Sequence, residues 1–256
     1  MNRSVKHIAK RIMWIVLGFS LAALSIAAVE LKKSMFITGI EVEVVLLEEG
    51  NNLVTPDDIL AGIAQTFGHV EEIPVEELDA QHMEEVLMEN PFMKKVDVYA
   101  DAHQKLHVRA EQREPMMRIM DPVGGDYYID REGVRIPVSR HYTVRVPIAN
   151  GNVPEMDEPR INEESGPVLK SLYAIARKIH GDRFLKPLVD QVYIDRQQQV
   201  ILVPKLGVKE IIVGDSTQLE DKIERLKIFY KEAISGFAWE KYKQMDLRYA
   251  GQVICR

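Results

Sequence analysis

One uninterrupted apolar run, residues 12–29 (IMWIVLGFSLAALSIAAV), constrains this sequence more than any other feature. The run holds no charged side chain and is bounded by Arg11 and Glu30. A helix of this length spans about 27 Å, close to the hydrocarbon thickness of a bilayer. The sequence therefore predicts a transmembrane helix over residues 12–29, which makes a membrane one partner of the chain.

Basic residues before the run predict its orientation. Residues 1–11 contain four basic residues, Arg3, Lys6, Lys10 and Arg11, and no acidic residue. The positive-inside rule then leaves residues 1–11 as a short cytoplasmic tail of a single-pass membrane protein. Everything after residue 29 is expected on the other side of the membrane. A cleaved signal peptide is the alternative, but the run exceeds the ~7–15 residues usual for a signal core.

Charge and cysteine content exclude several classes of function. The chain has a formal net charge of −6, and the first 29 residues carry +4, so the remainder carries −10. A folded part this acidic is repelled by phosphate, so we expect no nucleic-acid partner. The single cysteine, Cys255, excludes an internal disulfide and a multi-cysteine metal site.

Residues 36–114 predict a first domain of order strand, helix, helix, strand, strand. Alternating apolar residues over 40–46 indicate a half-buried strand, and Thr55-Pro56-Asp57-Asp58 is typical of a helix start. A second helix is predicted from Pro74 to Asn90, because Pro91 disfavours its continuation. Two further strands are expected around Val96–Tyr99 and Lys105–Arg109, joined by a hairpin connection at Asp101–Gln104.

The run NPFMKKVDVYADAHQKLHVRAEQREP, residues 90–115, gives this domain a recognisable signature. Its Asn90-Pro91 helix end, the strand that follows at once, and its exit at Arg113-Glu114-Pro115 resemble a POTRA domain. The resemblance implies a small sheet covered on one face by two helices, a stable two-layer arrangement.

Residues 116–256 predict a second, mostly antiparallel β domain with two helices. The domain is expected to begin with a hairpin over 127–136, whose turn is Asp130–Gly133, followed by a strand candidate at 143–148 and a helix over 165–181. Strands are then expected at 188–194, 199–204 and 210–213. A second helix over 217–236, opened by a Thr217-x-x-Glu220 capping box, precedes a closing strand from Gln244 to Cys255. The whole chain is thus expected to be α+β.

Two motifs in this second domain resemble the FtsQ/DivIB family of bacterial cell-division proteins. Tyr128, Asp130 and Gly133 match a Tyr-x-Asp-x-x-Gly hairpin, and residues 246–249 match an Asp-Leu-Arg-Tyr strand. The resemblance implies a scaffold of the divisome, anchored in the bacterial inner membrane at the division septum with its later domains on the periplasmic or extracytoplasmic side. It also implies FtsB-like and FtsL-like proteins as partners. Binding is expected by β-augmentation at the closing strand, since it comes at the end of the given chain and nothing follows to cover it.

The partner-binding residues that the resemblance implies are Arg248, Tyr249, Gly251, Val253 and Ile254. Taken alone, Arg248 reads as a solvated strand charge and Tyr249 as a side chain that packs on its own domain. The sequence carries no phosphate-binding glycine loop, two-histidine zinc helix or nucleophile elbow. The acids around Asp130 lack the twelfth-position ligand of a calcium loop. We therefore predict no catalytic residue, no metal site, no cofactor and no small-molecule substrate.

Two other functions stay open at this stage. A POTRA-bearing accessory of outer-membrane protein transport predicts several POTRA units or a following barrel of alternating strands. An anchored enzyme of unknown class predicts a deep pocket with several perturbed acids or histidines.

Overall fold

The computed structural model describes residues 13–24, 36–48, 50–121, 125–236 and 242–256. Residues 13–24 form helix α1, whose large apolar side chains are exposed. Within the described ranges, no helix has both the length and the apolar character needed to cross a membrane. Residue 12 and residues 25–29 of the predicted membrane helix lie outside those ranges.

The chain divides into two compact units. The first contains described residues up to Val45 together with Thr55–Glu111, and the second contains Leu46–Val54 and Gln112–Arg256. The short segment 46–54 lies inside the first predicted domain in sequence, but it belongs to the second unit. Gln112 fixes this segment, because its side-chain Oε1 accepts hydrogen bonds from the backbone N–H groups of Leu53 (2.6 Å) and Val54 (3.1 Å).

The first unit has the predicted order of strands and helices. Its elements are β1 (Gly39–Val45), α2 (Pro56–Phe67), a 3-10 turn (Val70–Glu72), α3 (Ala80–Met88), β2 (Met93–Ala100) and β3 (Lys105–Gln112). The sheet has the order β1-β3-β2, and β1 runs parallel to β3. Burial alternates along β3, where Leu106 and Val108 are buried and the polar residues Lys105, His107 and Arg109 are not.

One helix of the first unit starts later than predicted. Helix α2 begins as expected, with Thr55 and Asp58 forming a reciprocal capping box. Helix α3 begins at Ala80 and not at Pro74, because Asp79 accepts a hydrogen bond from the His82 amide and so acts as its N-cap. Pro74 instead pairs with Phe36 in an isolated bridge.

The second unit is built on a nine-stranded sheet. Its elements are β4 (Pro115–Ile119), β5 (Tyr127–Asp130), β6 (Arg135–Pro137), β7 (Ile148–Gly151), α4 (Pro167–Gly181), α5 (Leu185–Leu188), β8 (Val189–Ile194), β9 (Val200–Pro204), β10 (Glu210–Gly214), α6 (Leu219–Gly236), β11 (Gln244–Asp246) and β12 (Ile254–Cys255). The strand order is β12-β11-β10-β9-β8-β7-β4-β5-β6. Most neighbouring pairs are antiparallel; β4 with β7, β7 with β8, and β10 with β11 are parallel.

Helices α4 and α6 contribute to a single apolar core with the sheet. The fully buried contributions from the helices are Leu172, Ile175 and Ala176 from α4, and Ile223, Leu226 and Tyr230 from α6. Burial of each leucine or isoleucine side chain stabilises the fold by about 1.5–3 kcal/mol relative to exposure. This packing holds α6 firmly beside the end of the sheet where β11 and β12 lie.

Several predictions for the second unit are corrected. Strand β4 was not predicted, and the strand predicted at 143–148 is instead β7, which begins only at Ile148. The prediction that Thr217 caps α6 is wrong. Helix α6 begins at Leu219, and the preceding Gln218 has a positive φ of 51°, which is not helical. A short third helix, α5, accompanies the two that were expected.

Candidate partner-binding edge

The segment predicted as one closing strand is two short strands. Strand β11 lies between β10 and β12, and β12 pairs antiparallel with β11, with Met245 opposite Cys255 and Asp246 opposite Ile254. Residues 247–253 connect the two strands and are called here the β11–β12 connection. Strand β12 is thus the terminal strand of the sheet, and no described strand pairs with its outer side.

The hydrogen-bond pattern identifies which backbone groups of β12 face outward. Gln244 and Arg256 exchange both of their backbone hydrogen bonds, at 3.0 and 2.9 Å. Such pairs alternate along an antiparallel ladder, so Ile254 also faces β11 while Cys255 does not. The N–H and C=O groups of Cys255 therefore point to the open side of the sheet. Cys255 was absent from the predicted site residues.

Arg248 lies in the β11–β12 connection, where it forms a fork with Asp246 at the end of β11. Its Nε and Nη2 donate to the two carboxylate oxygens at 3.0 and 2.6 Å, and its backbone N–H donates to the same carboxylate at 3.0 Å. The Arg248 hydrogen bonds lower the pKa of the buried Asp246 carboxyl. The fork ends strand β11, since it turns the chain back on itself. The Arg248 side chain stays 42% exposed.

The other predicted residues lie around the same turn. Tyr249 is 46% exposed, and Gly251 has a φ of 69°, which glycine adopts without a steric penalty. Val253 is partly buried against the core, and Ile254 is half-buried in β12. The structure therefore brings all five predicted residues to one end of the sheet, but only Ile254 lies in a strand.

Arg225 of α6 was missed by the sequence reasoning. Its Nη1 donates to the carbonyls of Tyr249 (2.9 Å) and Gln252, and its Nη2 donates to that of Leu247 (3.1 Å). Its Nε donates to Asp221, one turn earlier in α6, at 2.9 Å. No local pattern signals this contact, because Arg225 is separated from its acceptors by 22 to 27 residues.

The opposite edge of the sheet, at β6, is covered. The Arg135 amide donates to the Pro159 carbonyl at 2.8 Å, and Arg160 forms a bridge with Val134 beside it. The Arg135 side chain also donates to the Met156 carbonyl at 3.0 Å. Pro159 and Arg160 thus cover the outer side of this edge at Val134 and Arg135.

The hairpin beside that covered edge is fixed by a buried ion pair. Arg113 and Asp130 approach to 2.9 Å, and their side chains are only 15% and 5% exposed. The second oxygen of Asp130 accepts the backbone N–H groups of Glu132 and Val134, both at 2.8 Å. The acids of this turn therefore bind their own backbone and an arginine. Within the described part of the chain, no cluster of three or more His, Cys, Asp or Glu is placed to hold a metal ion.

Comparison with protein families gives two matches. Residues 114–256 match the model described as FtsQ/DivIB, C-terminal related, and residues 38–111 match that of a POTRA-like domain. The first match alone covers more than half of the 256 residues. The chain belongs to the FtsQ/DivIB family. The family resemblance that was predicted from the two motifs is confirmed.

Membership of this family establishes the broad role of the chain. FtsQ/DivIB proteins are membrane-associated division proteins that act through other division proteins and are not enzymes. The mixed α+β architecture, with a POTRA-like domain followed by a β-rich domain, is likewise established. No curated protein sequence matches this chain.

Proposed function

We propose that this chain is a single-pass membrane scaffold of the bacterial divisome, and that it binds an FtsB-like partner by strand addition at β12. An FtsL-like protein is expected to act together with that partner. The observation that carries the proposal is the open edge of β12, with the backbone groups of Cys255 facing outward. An unpaired strand edge is a template for another extended chain.

The proposed organisation follows the sequence prediction. Residues 1–11 form a cytoplasmic tail, 12–29 anchor the chain in the inner membrane, and 36–114 and 116–256 form the POTRA and FtsQ-type β domains. The extracytoplasmic part then reaches the partners at the division septum. The basic flank and the apolar run of the sequence, together with the exposed apolar side chains of α1, support the anchor.

The residues of the β11–β12 connection are proposed to give the edge its specificity. Arg248 uses Nε and Nη2 for Asp246, so its Nη1 is the nitrogen left for a partner carboxylate. Tyr249 offers exposed ring area with a polar tip, a combination favoured in interfaces. The backbone between the turn and β12 is formed in part by the other three predicted residues, Gly251, Val253 and Ile254.

Replacing Cys255 by proline tests the proposal. Proline removes the outward N–H of residue 255 and leaves the inward bonds of Ile254 and Arg256 in place. We expect the dissociation constant of the full-length chain for the FtsB-like protein of the same organism to rise by about 5- to 150-fold, equivalent to about 1–3 kcal/mol. Isothermal titration calorimetry of both proteins in detergent measures it.

Cys255→Ala is the matched control, because it changes the same side chain but keeps the backbone donor. It should bind within about threefold of the original chain, since only a small half-buried thiol is lost. Equal affinities of the proline variant and the original chain, with equal melting temperatures, would refute strand addition at β12.

A further inference from the structure

One side chain of α6, Arg225, donates hydrogen bonds to three backbone carbonyls of the β11–β12 connection. The three carbonyls that it contacts belong to Leu247, Tyr249 and Gln252, which span almost the whole connection. The two strands that flank the connection contain only three and two residues. The position of β12 therefore depends on few backbone hydrogen bonds of its own.

The guanidinium of Arg225 is oriented before it meets the connection. Asp221 binds its Nε at 2.9 Å from one turn earlier in α6, and the Arg225 side chain is only 12% exposed. Its neighbours Ile223 and Leu226 are buried in the core and fix α6. A planar fork with five donors, held on a fixed helix, suits the task of binding several carbonyls at once.

We infer that Arg225 is a positioning residue for the partner-binding edge: it orders the β11–β12 connection and thereby keeps β12 in the conformation that a partner strand needs. This inference rests on the proposed function of β12. Arg225 acts through the connection, since its nitrogens are engaged by Asp221 and by the backbone carbonyls. A partner strand on the far side of β12 binds only the fraction of molecules in which that strand is ordered.

The inference predicts a specific pattern in two variants. Arg225→Gln removes the fork and should weaken binding of the FtsB-like protein of the same organism by about tenfold, because the apparent dissociation constant scales inversely with the ordered fraction. Arg225→Lys keeps the charge and one donor group, so it should fall between Arg225→Gln and the original chain. Arg183→Gln, at an exposed arginine of the same unit, is the matched control and should bind like the original chain.

Hydrogen–deuterium exchange of the full-length chain separates positioning from general stability. Positioning predicts that Arg225→Gln raises exchange about tenfold or more in peptides covering 244–256, while peptides covering β8 and β9 keep their protection. A purely structural role predicts faster exchange throughout the second unit and a lower melting temperature. If Arg225→Gln does not fold, the same comparison is made with Arg225→Lys.

The outcomes distinguish this inference from the proposed function. If Cys255→Pro loses binding but both Arg225 variants keep it, the positioning role is overturned and the edge function stands. If Cys255→Pro binds like the original chain, the edge function itself fails. Faster exchange confined to residues 244–256, together with weaker binding that lysine partly restores, supports the positioning role.

Discussion

The two edges of the nine-stranded sheet differ in whether other residues of the chain pair with them. At β6, residues 156–161 supply a carbonyl to the Arg135 amide and a bridge to Val134, so the edge is closed from within. At β12, no described strand pairs with the outer side, and Cys255 presents its backbone groups there. Proteins usually protect exposed edges against unwanted pairing. The open edge lies at the opposite end of the sheet from the closed one, and it is where we propose that another chain binds.

The side chains at the two edges also make different kinds of contact. At the covered edge, Arg113 and Asp130 form a buried pair that fixes a hairpin. At the open edge, Arg225 and the Arg248–Asp246 fork shape a connection whose surface remains exposed. The comparison predicts that substitutions at the covered edge reduce stability, whereas those at the open edge mainly reduce partner binding.

The largest expected effect is at the covered edge. Asp130→Ala removes the buried carboxylate partner of Arg113, which keeps only the more exposed Glu132, and removes the acceptor for the turn amides of Glu132 and Val134. We expect the free energy of unfolding to fall by about 3–5 kcal/mol, measured by urea denaturation. Asp190→Ala removes one partner of an exposed ion pair with Lys205, and its cost should stay below about 1 kcal/mol. An equal loss of unfolding free energy in the two variants would contradict the stabilising role of the Arg113–Asp130 pair.

The smallest expected effect is a pH dependence at the open edge. Arg248 lowers the pKa of Asp246 in the folded chain. The stabilisation from this pair is therefore complete above the ordinary aspartate pKa of about 3.9 and is lost as the pH falls through the lower folded pKa. An NMR titration of the Asp246 carboxyl should give a pKa below the ordinary value, and Arg248→Gln should raise it. The same pKa in both chains would contradict the fork.

The periodic parts of the sequence predicted the fold well. The strand predicted around Lys105–Arg109 is present as β3, and the helix predicted over 217–236 is present as α6. Local sequence signals gave the wrong element boundary where a residue distant in sequence determines the backbone pairing. Pro74 resembles a helix start, but it pairs with Phe36, so α3 begins only after the cap at Asp79.

The candidate edge could be predicted only in part. The Asp246–Tyr249 motif pointed to the end of the sheet where β11 and β12 lie, but it suggested one continuous strand. The fork between Asp246 and Arg248 and the positive φ of Gly251 divide that strand into two. Sequence patterns could not identify Arg225, because its contacts with the connection form only when α6 is folded against it.

The central claim is that a partner adds a strand to β12, and hydrogen exchange at the Cys255 amide tests it most directly. In the free chain this amide should exchange readily, whereas the Arg135 amide at the covered edge should be protected. When the FtsB-like protein saturates the chain, the account predicts at least about tenfold slower exchange at Cys255 and no change at Arg135. Equally fast exchange of the Cys255 amide in the free chain and in the saturated complex would contradict the account.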